Sequence, residues 1–124
     1  MLDNYCEAFI LKSQENYQLY ELLSASKNFL SWQFVAIFYS ALCIAKAYLY
    51  KKGMPINSIN SHDNIKFYLA TESYAKQNNV LVYYESLYRY SRDARYTNKQ
   101  LTQKHLDFVL EQYEKVKGLL LANY

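Results

Sequence analysis

Residues 31–52, SWQFVAIFYSALCIAKAYLYKK, followed directly by Gly53, decide the fold of this chain. Apolar side chains recur here at three- and four-residue spacing, which predicts an α-helix. Other apolar residues fill the remaining faces, as is typical of a helix at the centre of a bundle. Gly53 predicts the end of the helix, because glycine readily adopts the left-handed cap conformation. The main buried stripe is predicted to contain Trp32, Val35, Phe38, Tyr39, Leu42, Ala45 and Leu49.

The rest of the chain also predicts helices. Only two glycines and one proline occur in 124 residues, and turns and linkers depend on both residue types. Further helices are expected at residues 3–24, 62–77 and 80–96 and after Thr102, with a break at residues 24–28 and with Asn60 or Ser61 as a cap. We therefore expect one all-α domain over residues 1–124. Its predicted form is an antiparallel up-and-down helical bundle of four core helices plus an extra N-terminal helix.

Composition excludes several classes of protein. A hydrophobic content of 52% with a net charge of +3 excludes a disordered chain. The longest apolar run, residues 29–49, is interrupted by Ser31, Gln33, Ser40 and Lys46, which favours a buried helix over a membrane span. The first residues lack the basic and apolar regions of a secretory signal, so we expect a cytoplasmic protein without membrane contact.

Few residues suggest metal or cofactor chemistry. Cys6 and Cys43 have no CxxC spacing, so they are expected to be buried thiols rather than disulfide or zinc ligands. The sequence contains no P-loop, nucleophile elbow, HExxH motif or paired carboxylates. We therefore predict no metal site and no cofactor.

Residues 88–96, YRYSRDARY, hold all three arginines of the chain among three tyrosines. On a helix, Arg89, Arg92 and Tyr96 share one stripe and Arg95 lies on the adjoining flank. Guanidinium groups match phosphate geometry, while tyrosine supplies a flat ring and a hydroxyl. This segment predicts an anion-binding site.

Two structural alternatives remain open for the arginines. Asp93 lies close to Arg89 and Arg92 in sequence, so the segment could be a solvated helix face with weak ion pairs. Arg95 also falls on the apolar stripe of its helix. It could therefore be a buried ion-pair partner, for example of Glu72, Glu85 or Asp107.

Two blocks together resemble the HEPN domain family. Residues 32–42, WQFVAIFYSAL, are similar to its W-x5-FY-x-AL helix, and residues 87–96, LYRYSRDARY, are similar to the L-x3-SR-x-ARY signature of one branch. The resemblance covers residues 31–121. It implies a helical bundle, frequently a homodimer, that binds RNA or nucleotide in bacterial defence or toxin–antitoxin systems. It also implies a cognate antitoxin or nucleotidyltransferase as a possible partner, and it points to Arg92, Arg95 and Tyr96, with Arg89 and His62 nearby, as ligand-binding residues.

Catalytic members of that family use an Arg-x4–6-His motif, and this sequence lacks it. Cys43 also stands where similar sequences often carry histidine. The resemblance therefore implies a module that binds RNA or nucleotide phosphate without cleaving it. An alternative is a metal-independent endoribonuclease that uses Arg92 with His105 or His62. A third possibility is a helical dimerisation or protein-interaction module, because the fifteen tyrosines provide many interface-type side chains.

Overall fold

The computed structural model describes residues 2–26 and 29–124, and every regular element in these ranges is helical. The predicted all-α bundle is confirmed. Residues 27 and 28 of the predicted break lie outside the described residues. The elements are α1 (Leu2–Ser26), α2 (Leu30–Lys51), a 3₁₀ turn (Ile56–Ile59), α3 (His62–Thr71), α4 (Ser73–Gln77), α5 (Val80–Tyr96) and α6 (Gln103–Ala122).

Helix α2 lies at the centre of the bundle, as its all-round apolar surface predicts. It packs against α1, α5 and α6, and Phe34, Ile37 and Leu49 are among its fully buried side chains. By length and composition α2 would suit a membrane span, but 61% of its most apolar window is buried inside the bundle. Its apolar surface is therefore mostly covered by the other helices of the same chain.

Helices α1 and α2 run antiparallel. The rings of Tyr5 and Tyr50 lie 5.3 Å apart at one end, and the hydroxyls of Ser13 and Ser40 lie 3.1 Å apart further along. The Tyr113 hydroxyl of α6 lies 2.8 Å from Ser40, so α1, α2 and α6 meet at one buried polar cluster. The N-terminal helix, expected as an addition to four core helices, is thus itself one of the four long helices.

Helices α5 and α6 complete the up-and-down arrangement. The Tyr90 ring lies 5.7 Å from His105, and Lys115 lies 4.9 Å from the ring centre of Tyr83. Because later residues of α6 meet earlier residues of α5, these two helices are antiparallel. The shorter helices α3 and α4 form the connection between α2 and α5.

The predicted ends of two helices are confirmed. Gly53 has a φ of +100°, and its N–H donates to the Tyr50 carbonyl while the Met54 N–H donates to the Leu49 carbonyl. These two hydrogen bonds form a Schellman cap, which needs a left-handed residue at the position of Gly53. At the start of α3, the Ser61 hydroxyl accepts from the Asn64 N–H at 3.1 Å.

The prediction of one continuous helix over residues 62–77 is wrong. Glu72 has extended backbone angles, φ −65° and ψ 132°, and separates α3 from α4. Its carboxylate accepts a 2.5 Å hydrogen bond from the buried Tyr48 hydroxyl and a 2.9 Å hydrogen bond from the Ala75 N–H. Glutamate favours helices, yet Glu72 serves as the N-cap of α4, because Tyr48 on α2 and the first turn of α4 hold its side chain.

Candidate functional site

Four of the five predicted ligand-binding residues line one cleft, which we call the arginine cleft. It has a volume of about 420 Å³ and lies where α2, the start of α3 and the C-terminal half of α5 meet. The described lining residues include the cations Lys46, Arg92 and Arg95 and contain no aspartate or glutamate. The full lining is Phe38, Tyr39, Leu42, Lys46, Asn60, His62, Ile65, Tyr88, Arg92, Arg95 and Tyr96.

Arg95 is the most firmly positioned cation of the cleft. Its Nε–H donates to the Ser91 carbonyl one helical turn earlier, at 3.3 Å, and Nη1 donates to the Tyr39 hydroxyl of α2, at 3.2 Å. Its guanidinium carbon lies 5.7 Å from the ring centre of Tyr39 and 5.0 Å from that of Tyr96. Hydrogen bonds and ring faces therefore fix the guanidinium while leaving part of it open to the cleft.

Arg92 extends beside Arg95 and is exposed. Its Nη1 donates to the Tyr88 hydroxyl at 3.3 Å, and its guanidinium carbon lies 5.6 Å from the ring centre of Tyr96. The hydrogen bond to Tyr88 is the main reason why the pKa of Arg92 lies above its ordinary value. The Arg92 guanidinium is therefore a permanent cation that contacts the side chains of Tyr88 and Tyr96.

Arg92 and Arg95 form no ion pair with a carboxylate in the part of the chain that the structure describes. Among the residues that the structure describes, the ion pairs are Lys12–Glu15, His62–Glu85, Lys66–Glu85 and Lys99–Asp93, and none includes an arginine. Asp93, the acid that the solvated-face alternative places beside the arginines, accepts from Lys99 Nζ at 3.2 Å. Its charge also contributes to the raised pKa of Arg92. Glu72 accepts from Tyr48, and Asp107 accepts from Gln103. Among the described residues, Arg95 therefore forms no buried ion pair and the arginines form no ion pair with Asp93. Arg89 and Arg92 are exposed to solvent, as the solvated-face alternative expects.

His62 lines the cleft, but its ring nitrogens point toward α5. The ring stacks on Tyr88 with centroids 3.6 Å apart, Nδ1 lies 3.1 Å from the Tyr84 hydroxyl, and Nε2 lies 3.6 Å from Glu85 Oε1. Burial disfavours the imidazolium and lowers the pKa of His62, although the Glu85 carboxylate partly offsets this effect. His62 therefore supplies a mostly neutral ring to the wall of the cleft and helps to hold Tyr88.

Two predicted residues lie elsewhere. Arg89 is exposed on α5 and does not line the arginine cleft. His105 caps its own helix, since its Nδ1 accepts from the Thr102 N–H at 3.0 Å. Its ring packs near Tyr90 rather than folding back toward Arg92 and Arg95. His105, one of the two histidines proposed for the endoribonuclease alternative, is therefore part of a helix capping box outside the cleft.

Sequence reasoning missed the outward stripe of α2. Trp32 and Tyr39, predicted to be buried, are 58% and 36% exposed. Tyr39 lines the arginine cleft together with Lys46, which was not predicted as a ligand residue. The seven-residue spacing of Trp32, Tyr39 and Lys46 places them on one stripe, and Lys46, the charged residue in the interior of this apolar helix, marks it as outward-facing. That signal was present in the sequence.

Neither a metal site nor the two cysteines add to the arginine cleft among the described residues. Within residues 2–26 and 29–124, no group of three His, Cys, Asp or Glu residues could hold a metal ion. Cys6 is buried, while Cys43 is only partly buried, and both thiols are free. Comparison with family models, with curated proteins and with solved structures finds no match to this chain.

Proposed function

We propose that this bundle is a HEPN-like module that binds RNA or nucleotide phosphate in the arginine cleft, in a bacterial defence or toxin–antitoxin setting, without cleaving it. One observation carries the proposal. Arg92 and Arg95 lie side by side on α5, and their guanidinium groups contact tyrosine hydroxyls and rings instead of carboxylates. The HEPN assignment rests on the two sequence motifs described above.

The electrostatics of the cleft favour an anion. Arg92, Arg95 and Lys46 contribute positive charge, and none of the described lining residues is acidic. The hydrogen bonds to Ser91 and Tyr39 use two N–H groups of Arg95 and leave the others for a ligand. A phosphate accepts such bonds in pairs, which is the geometry that guanidinium groups recognise best.

The geometry of His62 supports binding without cleavage. A proton-transfer residue needs a ring nitrogen within hydrogen-bond reach of the reacting group. Here Nδ1 lies against the Tyr84 hydroxyl, and Nε2 is buried beside Glu85. Neither nitrogen is directed at the two arginines.

The proposal is tested with a 5′-phosphorylated single-stranded oligoribonucleotide and fluorescence anisotropy. Arg92→Ala and Arg95→Ala should each weaken binding by about 10- to 100-fold, since hydrogen bonds involving charged groups contribute about 1.5–3 kcal/mol. Arg89→Ala is the matched control, because it removes the same charge from the same helix outside the cleft. Equal losses in all three variants would indicate nonspecific charge attraction, and unchanged binding in Arg92→Ala and Arg95→Ala would refute the proposal.

A metal-independent endoribonuclease is the second candidate, because His62 lines the same cleft as both arginines. Incubation of the purified protein with total RNA in EDTA tests it directly. Cleavage that is lost in both His62→Ala and Arg92→Ala would favour the enzyme. If the RNA pool stays intact at high protein concentration, the endoribonuclease is refuted and the binding module remains the proposed function.

A further inference from the structure

A second hollow adjoins the arginine cleft. We call it the tryptophan hollow: Ser31, Trp32 and Val35 of α2 and Ala94, Arg95 and Tyr96 of α5 line about 320 Å³. Arg95 and Tyr96 line both hollows, so they form the wall between them. A ligand held by Arg95 in the arginine cleft therefore has the tryptophan hollow as its immediate neighbour.

The tryptophan hollow has the surface that a flat apolar ring requires. Val35 is 8% exposed, whereas the Trp32 and Tyr96 side chains are 58% and 68% exposed. Among the lining residues that the structure describes, the only charge is the Arg95 guanidinium, and that group already lies 5.0 Å from the Tyr96 ring centre. Two accessible aromatic faces next to a cation suit stacking of a neutral ring that is linked to an anion.

We propose that the tryptophan hollow holds a nucleobase, stacked on Trp32, of the same ligand whose phosphate Arg92 and Arg95 bind. This inference rests on the proposed function and adds to it the place where the base of that ligand binds. Free inorganic phosphate would fill only the arginine cleft and leave Trp32 unused. A nucleotide uses both hollows through the shared wall of Arg95 and Tyr96.

Trp32 is the only tryptophan of the chain, so its fluorescence reports directly on this hollow. We expect AMP to change the Trp32 emission and to bind about 5- to 100-fold more tightly than ribose 5-phosphate, the range that stacking on an aromatic side chain provides. Ribose 5-phosphate should bind through the arginines alone. A 5′-phosphorylated triadenylate that binds more tightly than AMP would identify an RNA strand as the source of the base, and equal binding would identify a mononucleotide.

Calorimetry on two variants separates stacking from a general effect of the substitution. Trp32→Ala should reduce the affinity for AMP to that for ribose 5-phosphate, while Trp32→Phe should keep most of the difference because it keeps a ring. Thermal melting checks that both variants are folded. Equal affinity of AMP and ribose 5-phosphate for the wild-type protein, or full AMP affinity in folded Trp32→Ala, would overturn the nucleobase subsite.

The two proposals fail in different ways. If ribose 5-phosphate binding depends on Arg92 and Arg95 but AMP gains nothing from Trp32, only the nucleobase subsite is refuted. If neither compound depends on the two arginines, the proposed function is refuted, and the subsite is refuted with it.

Discussion

The contact between Tyr39 and Arg95 connects α2 to the guanidinium that lines both hollows. Tyr39→Phe removes the hydroxyl that accepts from Arg95 and keeps the ring. We expect phosphate binding to weaken by about 2- to 10-fold, since one such hydrogen bond contributes about 0.5–1.5 kcal/mol. The melting temperature should stay within about 1–2 °C, because the hydrogen bond is exposed.

Tyr83→Phe is the control for this prediction. It removes a tyrosine hydroxyl from α5 at a residue that lines neither the arginine cleft nor the tryptophan hollow. Calorimetric titration with pyrophosphate compares the two variants. Equal affinity of wild-type protein and Tyr39→Phe would show that Tyr39 does not position Arg95 for the ligand.

His62 gives a prediction about pH. Burial lowers its pKa below the ordinary value of 6.5. Its contribution to stability is therefore fully present above pH 6.5 and is lost as the pH falls through the lowered folded value. NMR titration of the ring should show the low pKa, and Glu85→Gln should lower it further, since the Glu85 carboxylate favours the imidazolium. A pKa of His62 above 6.5 would contradict the conclusion that partial burial disfavours the imidazolium.

At the scale of secondary structure, the break between α3 and α4 depends on Glu72. Its carboxylate accepts from Tyr48 on α2 and from the Ala75 N–H at the start of α4. Glu72→Ala should lower the free energy of unfolding in urea by about 2–4 kcal/mol, because it removes a charged hydrogen bond and an N-cap together. Glu72→Gln keeps an acceptor and should lose less. A loss below about 0.5 kcal/mol in Glu72→Ala would show that the break does not depend on this side chain.

The same carboxylate should contribute to acid sensitivity. Burial alone would raise the pKa of Glu72, but the hydrogen bonds from Tyr48 and from the Ala75 and Tyr74 backbone outweigh it and lower the pKa. The Glu72 contribution is thus present above its unfolded pKa of about 4.5 and is lost as the pH falls through the folded value. Urea titrations at pH 7 and pH 3.5 should show a smaller acid loss in Glu72→Gln than in the wild-type protein. An identical loss would contradict this assignment.

At the scale of the whole molecule, the helices and several of their ends were predictable from local sequence. Hydrophobic periodicity identified the long helices, and Gly53 and Ser61 marked boundaries because a cap depends on a few neighbouring residues. The break at Glu72 was not predictable, since its side chain is held by Tyr48, 24 positions away in sequence. Long-range hydrogen bonds leave no periodic signal.

The residues that α3 and α5 contribute to the candidate site include predicted ones, whereas those that α2 contributes were not predicted. The spacing placed Arg89, Arg92 and Tyr96 on one stripe of α5 with Arg95 on its flank. The structure brings Arg92, Arg95 and Tyr96, but not Arg89, together with His62. Trp32 and Tyr39 were assigned to the core because α2 is apolar nearly all round, and the seven-residue spacing that places them on one stripe with Lys46 was not used. The expected homodimer and the antitoxin or nucleotidyltransferase partner remain predictions.

Phosphate binding by two of the three arginines can be tested in the unmodified protein. NMR resolves one Nε–Hε signal for each arginine, and this chain has only Arg89, Arg92 and Arg95, so Arg89 serves as an internal control. Addition of pyrophosphate should shift the Arg92 and Arg95 signals along a saturating curve and leave the Arg89 signal in place. Three signals that shift together, or none that shift at millimolar pyrophosphate, would contradict a phosphate site in the arginine cleft.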